Sequence, residues 1–155
     1  MSNVDFLIKN VSLPDGKVAD IGITDGVISS VGKGSKDQAT NSIDGSGFVA
    51  LPGLVDLHTH LREPGREDAE TVLSGSRAGV KGGFTAVSAM ANTSPVADTA
   101  GVVEQVYRLG QEAGLLDVFP IGAVTQGLKG EALSEIGAMA DSVARVRVFS
   151  DDGNC

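Results

Sequence analysis

The sequence predicts an α/β fold in two parts: a small β-unit over residues 1–50, then strand–helix repeats over residues 51–155. In the first part, short β-prone segments are separated by turn residues. In the second, strand and helix patterns alternate at roughly 30-residue spacing, the length of a βαβ crossover, which favours a parallel sheet. Long polar loops follow only the carboxyl ends of these strands, as in a barrel of parallel strands. Because such a barrel needs on the order of 250 residues, we predict its first half, with an open four-stranded α/β domain as the alternative.

The composition is that of a folded, acidic chain. Hydrophobic residues make up 41% and charged residues 21% of the 155 residues. The net charge is -8 without a run of Lys or Arg, which argues against a nucleic-acid surface. No stretch approaches the roughly 18 apolar residues of a membrane span, and the N-terminus lacks the order of a secretory signal. Cys155 is the sole cysteine, so no internal disulfide is expected, and we predict a cytoplasmic protein.

Residues 1–50 are predicted to form the N-terminal part of a small β-sandwich, with its strands in a meander. The sequences Pro14-Asp15-Gly16 and Asp25-Gly26 are turn signals, and the second is typical of a tight β-hairpin. Residues 32–41 are polar and predict a loop. The predicted strands are residues 4–9, 18–24, 27–31 and 43–50.

Residues 51–155 are divided by apolar periodicity and by capping residues. The apolar run at residues 54–57 predicts a buried first strand. Gly82-Gly83 should end the first helix, and Asp98 and Gly114 should cap the second. The predicted order is strand 54–59, helix 67–81, strand 84–89, helix 99–113, strand 116–123, helix 131–141 and strand 145–149.

The two histidines of the sequence, His58 and His60, lie at the end of the first predicted strand. Side chains on a strand alternate between faces, so both imidazoles should point the same way, about 7 Å apart, with Thr59 pointing away. Two imidazoles in this arrangement can bind one cation if further ligands complete the shell. The other interpretation is a pair of ordinary structural or surface histidines.

Polar residues also follow other predicted strands, and in a parallel barrel these ends meet on one face. Arg62 offers a planar guanidinium that fits a carboxylate with two hydrogen bonds, although it could instead pair with a neighbouring glutamate. Asn92 could bind a ligand or serve only as a turn residue. Asp151 and Asp152 follow the fourth strand, where they could bind a metal or form an ordinary turn.

Four segments, in order along the chain, carry a family resemblance. LPGLVDLHTHLREPG at residues 51–65 closely resembles the opening signature of the cyclic amidohydrolases, and REPG after the paired histidines is similar to the dihydroorotases in particular. KGGFTAV at 81–87, MANTSPV at 90–96 and FSDDG at 149–153 resemble the following signatures of that family. The resemblance implies an amidohydrolase (β/α)8 barrel, of which this chain would be the N-terminal portion.

The resemblance also implies a zinc-dependent hydrolase that interconverts dihydroorotate and N-carbamoyl-L-aspartate in pyrimidine biosynthesis. Two zinc ions in such enzymes activate water and polarise the ring amide. Carried over to this sequence, His58 and His60 bind one zinc ion, Asp152 bridges both, with Asp151 as the alternative, and Arg62 and Asn92 bind the substrate carboxylate. Some relatives use a carbamylated lysine as the bridge, but no lysine lies between Arg145 and Asp152.

The family's remaining histidines and its general base have no counterpart in these 155 residues, so we expect the chain alone to be inactive. A hydantoinase or allantoinase is the alternative enzyme, and a non-catalytic scaffold for aspartate transcarbamoylase is the alternative outside enzymes. The resemblance implies a small-molecule substrate, without nucleic acid or membrane, and is compatible with a homo-oligomer or a transcarbamoylase partner.

Overall fold

A computed structural model describes residues 3–34 and 38–153. The chain divides into two compact units, Met1–Pro52 and Gly53–Cys155. Within the described residues, none of the helices has the length and apolar character that a membrane span requires.

The first unit is a four-stranded sheet in the order β3-β2-β1-β4. The strands are β1 Asn3–Ser12, β2 Val18–Thr24, β3 Val27–Gly32 and β4 Gln38–Asp44. The Asp25-Gly26 turn between β2 and β3 is confirmed: both residues have positive φ, 51° and 74°, as a two-residue hairpin turn requires.

The sheet is not the predicted meander, because β4 pairs with β1 in parallel. The strand predicted at residues 43–50 is also misplaced, since β4 spans Gln38–Asp44 and so includes part of the predicted loop. The strand ends where Gly45 donates its N–H to the carbonyl of Lys9 at 2.6 Å and a turn begins. A β-carbon at Gly45 would lie 2.9 Å from that of Val11, so glycine permits this close approach.

The second unit is a parallel sheet in the order β5-β6-β7 with helices between its strands. Its elements are β5 Leu54–Thr59, α1 Val72–Lys81, β6 Phe84–Ala89, α2 Ala100–Ala113, β7 Asp117–Pro120, a 3-10 helix Gln126–Leu128, and α3 Ile136–Asp141. Strands β5 and β6 are those predicted, whereas β7 is shorter than predicted.

The fourth strand predicted at 145–149 is wrong: the described chain forms only a single parallel bridge there, between Gly122 and Phe149. Arg145 has a φ of 46°, and the N–H of Val146 bonds to the carbonyl of Met139. This geometry turns Val146 into the core at 2% exposure, so the segment leaves the extended path before it reaches Gly122.

The helices begin later than predicted because other residues cap them. Helix α1 starts at Val72, five residues late, since Thr71 and Ser74 form a capping box. Helix α2 has Thr99 as its N-cap, and Asp98 instead accepts a hydrogen bond from the N–H of Gly127 at 2.8 Å. Helix α3 starts at Ile136 rather than at residue 131. The predicted C-terminal ends at Gly82 and Gly114 are confirmed.

The core of the second unit lies between its helices and the sheet. Val103 and Val106 of α2 are fully buried, as is Val118 of β7. Gly110 lets the helix approach the strand, because a β-carbon there would lie 2.6 Å from that of Val118. Each buried valine contributes about 1.5–3 kcal/mol of hydrophobic stabilisation.

Strand β5 is not buried as predicted. It forms one edge of the three-stranded sheet, with β6 on one side and none of the described strands on the other. Its apolar side chains are largely exposed: Leu54 47%, Val55 56% and Leu57 74%. An exposed apolar edge of this kind is rare in a complete domain.

Candidate metal centre

The two histidines lie together at the carboxyl end of β5. Their ring centroids are 5.1 Å apart and the rings meet edge to face. The carbonyl of Thr59 accepts a hydrogen bond from the N–H of Met90, which extends the pairing with β6 up to the point where His60 begins. The strand therefore fixes the backbone under both imidazoles.

Asp152 joins the histidines from the other end of the second unit. Its Oδ1 lies 3.2 Å from Nε2 of His58 and 3.8 Å from Nε2 of His60. One ligand atom from each of the three residues falls within a group no more than 4.8 Å across. Asp152 itself has a φ of 53°, and its N–H bonds to the Oγ of Ser150, so a tight turn directs the carboxylate towards the histidines.

Asp151 has a different set of partners. Its Oδ1 accepts hydrogen bonds from the N–H groups of Val124 and Thr125, and its Oδ2 accepts one from the Thr125 hydroxyl at 2.6 Å. The Thr125 hydroxyl, followed by these backbone donors, lowers the pKa of Asp151 below its usual value. Asp151 thus anchors the turn that carries Asp152, while Asp152 lies with the histidines.

Acid should therefore release this turn. Because the folded-state pKa of Asp151 is below its unfolded value, its ionised form stabilises the fold above the ordinary carboxyl pKa of about 4. That stabilisation is lost as the pH falls through the folded-state pKa. We expect faster amide hydrogen exchange at Val124 and Thr125 on acidification, and no such acid-dependent change in an Asp151→Asn variant. If the amide exchange rates of wild-type Val124 and Thr125 do not change as the pH falls through the folded-state pKa of Asp151, the anchoring role is wrong.

Asn92 lies beside His60 on the loop after β6. Its Oδ1 is 3.0 Å from Nδ1 of His60, in a partly buried position. The sequence predicted a ligand-binding or turn role for Asn92, and its contact with a histidine was missed. A separation of 32 residues gives no local signal for such a pair.

Arg62 follows the histidines with a φ of 61°. Neither nearby glutamate pairs with it: Glu63 accepts a hydrogen bond from the N–H of Val72, and Glu67 accepts one from the N–H of Gly65. Within the described residues, no hydrogen bond or ion pair engages the Arg62 guanidinium. The glutamates thus fix the loop around Arg62 without forming an ion pair with it, so its guanidinium is free to bind an anion.

A family model described as dihydro-orotase-like matches residues 47–154. The chain belongs to the dihydroorotase-like family. Among curated relatives, the dihydroorotase of Leifsonia xyli subsp. xyli is 61% identical over 155 residues, and that of Streptomyces coelicolor is 59% identical over 149 residues. These matches cover 100% and 96% of this chain but 35% of each relative. This family member therefore spans about a third of the length of the curated relatives it matches.

Solved structures show a similar fold. The L-hydantoinase of Arthrobacter aurescens superposes with a TM-score of 0.68 at 25% identity, over 81% of this chain and 29% of that protein. An N-acyl-D-glutamate deacylase of Bordetella bronchiseptica, complexed with zinc, matches with a TM-score of 0.55 at 20% identity, over 78% and 30%. These neighbours are amidohydrolases with TIM-barrel folds, and this dihydroorotase-like chain is an α/β part of such a fold.

The site residues of this dihydroorotase-like chain fit a zinc ion. Two imidazoles and a carboxylate are ligands that zinc prefers. The contact between Asn92 Oδ1 and Nδ1 of His60 calls for a proton on Nδ1, because an amide oxygen only accepts. A neutral His60 then presents the lone pair of Nε2 to the Asp152 carboxylate at 3.8 Å. Two acceptors that face each other are stable only with a proton or a cation between them.

Gly65 sets the distance between the two loops that carry Arg62 and Asn92. It has a φ of 94°, and a β-carbon there would overlap the carbonyl oxygen of Ser94. The N–H of Ser94 in turn bonds to the carbonyl of Pro64 at 2.9 Å.

Gly65→Ala is therefore expected to force the loops apart, because both the left-handed backbone and the close contact exclude a side chain. In the full-length protein, thermal melting should show a loss of stability of about 2 kcal/mol or more. A matched Gly101→Ala variant, where a β-carbon meets no atom within 4 Å in helix α2, should melt no lower than the wild type. An unchanged melting temperature for Gly65→Ala would refute this account of the loops.

Proposed function

We propose that this chain is the N-terminal portion of a zinc-dependent dihydroorotase, which interconverts dihydroorotate and N-carbamoyl-L-aspartate in pyrimidine biosynthesis. The observation that carries the proposal is the convergence of His58, His60 and Asp152 from opposite ends of the second unit. Identity of 61% and 59% to curated dihydroorotases supports the reaction. The chain spans a third of those enzymes, so the remaining ligands and the general base would come from outside these residues.

His58, His60 and Asp152 would hold the metal, with Asp152 as the bridging ligand. Zinc in such a site lowers the pKa of water towards neutrality and polarises a carbonyl, which an unactivated ring amide needs. The residues of this chain would position the metal ligands. Strand β5 aligns the two imidazoles, Asp151 anchors the turn of Asp152, and Asn92 occupies Nδ1 of His60.

Arg62 and Asn92 would bind the substrate carboxylate. Within the described residues the guanidinium of Arg62 has no partner, and Glu63 and Glu67 fix the loop on either side of it. An unpaired guanidinium can donate two parallel hydrogen bonds to a carboxylate. Asn92 adds its amide N–H groups from the neighbouring loop.

Arg62→Lys is expected to lower kcat/KM of the full-length enzyme for dihydroorotate by a factor of roughly 30 to 1,000, or about 2–4 kcal/mol. The reason is that a single ammonium cannot reproduce the planar two-point contact. Arg66→Lys is the matched control, because Arg66 pairs with Asp68 at the surface. Unchanged kcat/KM for Arg62→Lys would remove Arg62 from the substrate site.

A hydantoinase is the second candidate, since an L-hydantoinase is among the structural neighbours. The identity of 25% to that protein is far below the identity to the dihydroorotases. Assays of the full-length protein with dihydroorotate and with a 5-substituted hydantoin separate the two. We expect turnover of dihydroorotate, and a preference for the hydantoin would refute the proposal.

Three finer assignments complete the proposal. Residues 51–155 would form the first part of the barrel, with β5 to β7 as its first three strands and the bridge at Phe149 in the position predicted for the fourth. Residues 1–50 would form part of a β-sandwich. The proposed metal is zinc, two ions per site in the full-length enzyme. A cytoplasmic location and a homo-oligomer or an aspartate transcarbamoylase partner stay predictions.

A further inference from the structure

We propose that Asn92 sets the tautomer of His60 for metal binding through its side-chain Oδ1. Asn92 is then a positioning residue, because it acts on the metal through His60. The inference rests on the proposed metal site at His58, His60 and Asp152.

The tautomer argument follows from one contact. Oδ1 of Asn92 lies 3.0 Å from Nδ1 of His60, and a carboxamide oxygen can only accept a hydrogen bond. The proton of a neutral His60 must therefore reside on Nδ1, which leaves Nε2 as the unprotonated nitrogen. Nε2 is the atom that lies nearest Asp152. A hydrogen bond to the remote nitrogen is the usual means of orienting a histidine ligand.

His58 shows what the contact adds. Its side chain is 58% exposed, against 31% for His60, and its Nε2 lies 3.2 Å from Asp152. Within the described residues, no hydrogen bond fixes the Nδ1 of His58. His60 is thus the histidine with a preset tautomer, and Asn92 is the residue that sets it.

The loop that carries Asn92 is fixed by buried neighbours and by hydrogen bonds. Ala91 and Thr93 on either side of it are buried at 0% and 7% exposure. The Thr93 hydroxyl donates to the carbonyl of Pro95, and the N–H of Ala97 donates to the carbonyl of Ala91. A side chain on a loop fixed in this way loses little conformational entropy when it binds, so the carboxamide of Asn92 is preorganised.

Asn92→Asp and Asn92→Ala test this role in the full-length protein. Aspartate keeps an acceptor for Nδ1 of His60 but has no donor, whereas alanine has neither. Zinc affinity is measured by competition with a chelator, and KM for dihydroorotate is measured in parallel. We expect Asn92→Ala to bind zinc 10- to 100-fold more weakly and Asn92→Asp to stay within about threefold of wild type. Both variants should raise KM for dihydroorotate at least tenfold.

Two controls make the outcome specific. Arg62→Lys should raise KM while it leaves zinc affinity unchanged, because Arg62 does not contact His60. His60→Ala should weaken zinc binding, and if it does not, the proposed metal site fails rather than the role of Asn92. If His60→Ala weakens zinc binding but Asn92→Ala does not, the positioning role is wrong. Equal losses in Asn92→Asp and Asn92→Ala would also overturn it.

Nitrogen-15 spectra of the histidines provide a test that needs no metal and no turnover. In the zinc-free full-length protein, the signal assigned to His60 by its loss in His60→Gln should show a protonated Nδ1 and an unprotonated Nε2. Asn92→Asp should preserve this pattern, and Asn92→Ala should give a mixture of tautomers. A wild-type His60 protonated on Nε2 would overturn the proposal even if Asn92→Ala failed to fold.

Discussion

Asp152→Ala in the full-length protein is expected to lose at least one zinc ion per site and to have no measurable dihydroorotate turnover. Asp152 is the carboxylate that lies within reach of both imidazoles, at 3.2 and 3.8 Å from their Nε2 atoms. A bridging carboxylate contributes to the affinity of both metal ions, so its removal leaves two imidazoles at this end of the site. Metal analysis after dialysis, together with a turnover assay, measures both effects.

Asp151 supplies the matched control one residue away. Asp151→Ala should keep both zinc ions but bind them more weakly, because its carboxylate anchors the turn of Asp152 through Val124 and Thr125 and is not directed to the histidines. Asp151→Asn is milder still, since an amide oxygen can accept from the two backbone N–H groups. The reverse pattern, with zinc lost in Asp151→Ala and kept in Asp152→Ala, would transfer the bridging role to Asp151.

Residues 1–155 expressed alone are expected to bind zinc weakly and to catalyse no dihydroorotate turnover. The site offers two imidazoles and one uncommitted carboxylate, and a zinc ion is usually bound by about four ligands. Leu57 is 74% exposed and Val148 is 55% exposed, so an apolar surface is left uncovered and should promote self-association. Val146 is buried at 2% and should not contribute.

The test is to purify residues 1–155 with added zinc and to assay both reaction directions beside a zinc-only blank. Analytical ultracentrifugation of the same sample should show oligomers that dissociate in Leu57→Lys. Turnover above the blank that is lost in His58→Ala would show that a self-associated form completes the site, contrary to this prediction.

The parts of the fold that follow local rules could be predicted from the sequence. Strands β5 and β6 coincide with the predicted ones, and Gly82 and Gly114 end their helices as predicted. The Asp25-Gly26 hairpin is also local, since its conformation is a property of those two residues.

The wrong predictions of the fold fall where contacts between residues distant in sequence determine the structure. Residues 145–149 are β-prone, but the hydrogen bond from the N–H of Val146 to the carbonyl of Met139 turns Val146 into the core. The predicted burial of β5 failed because a strand's own composition cannot show whether a neighbouring strand covers it. In the same way, the parallel pairing of β1 with β4 depends on where the chain returns after β3.

The candidate site also has features that local sequence predicts and features that depend on distant contacts. Spacing alone predicted two imidazoles on one face, because the alternation of a strand is local. The choice between Asp151 and Asp152 rested on resemblance, and the structure separates them by their partners: Thr125 for the first, the histidines for the second. The contact between Asn92 and His60 spans 32 residues, and no local sequence pattern predicts it.

The central claim is that His58, His60 and Asp152 hold a metal ion, and anomalous diffraction tests it most directly. Crystals of the full-length protein grown with zinc would be measured on both sides of the zinc absorption edge. We expect an anomalous peak bounded by the two Nε2 atoms and the Asp152 carboxylate, at roughly 2.0–2.2 Å from each ligand atom. An ordered site without a peak at this position, with the Asp152 carboxylate paired directly to a protonated histidine, would contradict the account.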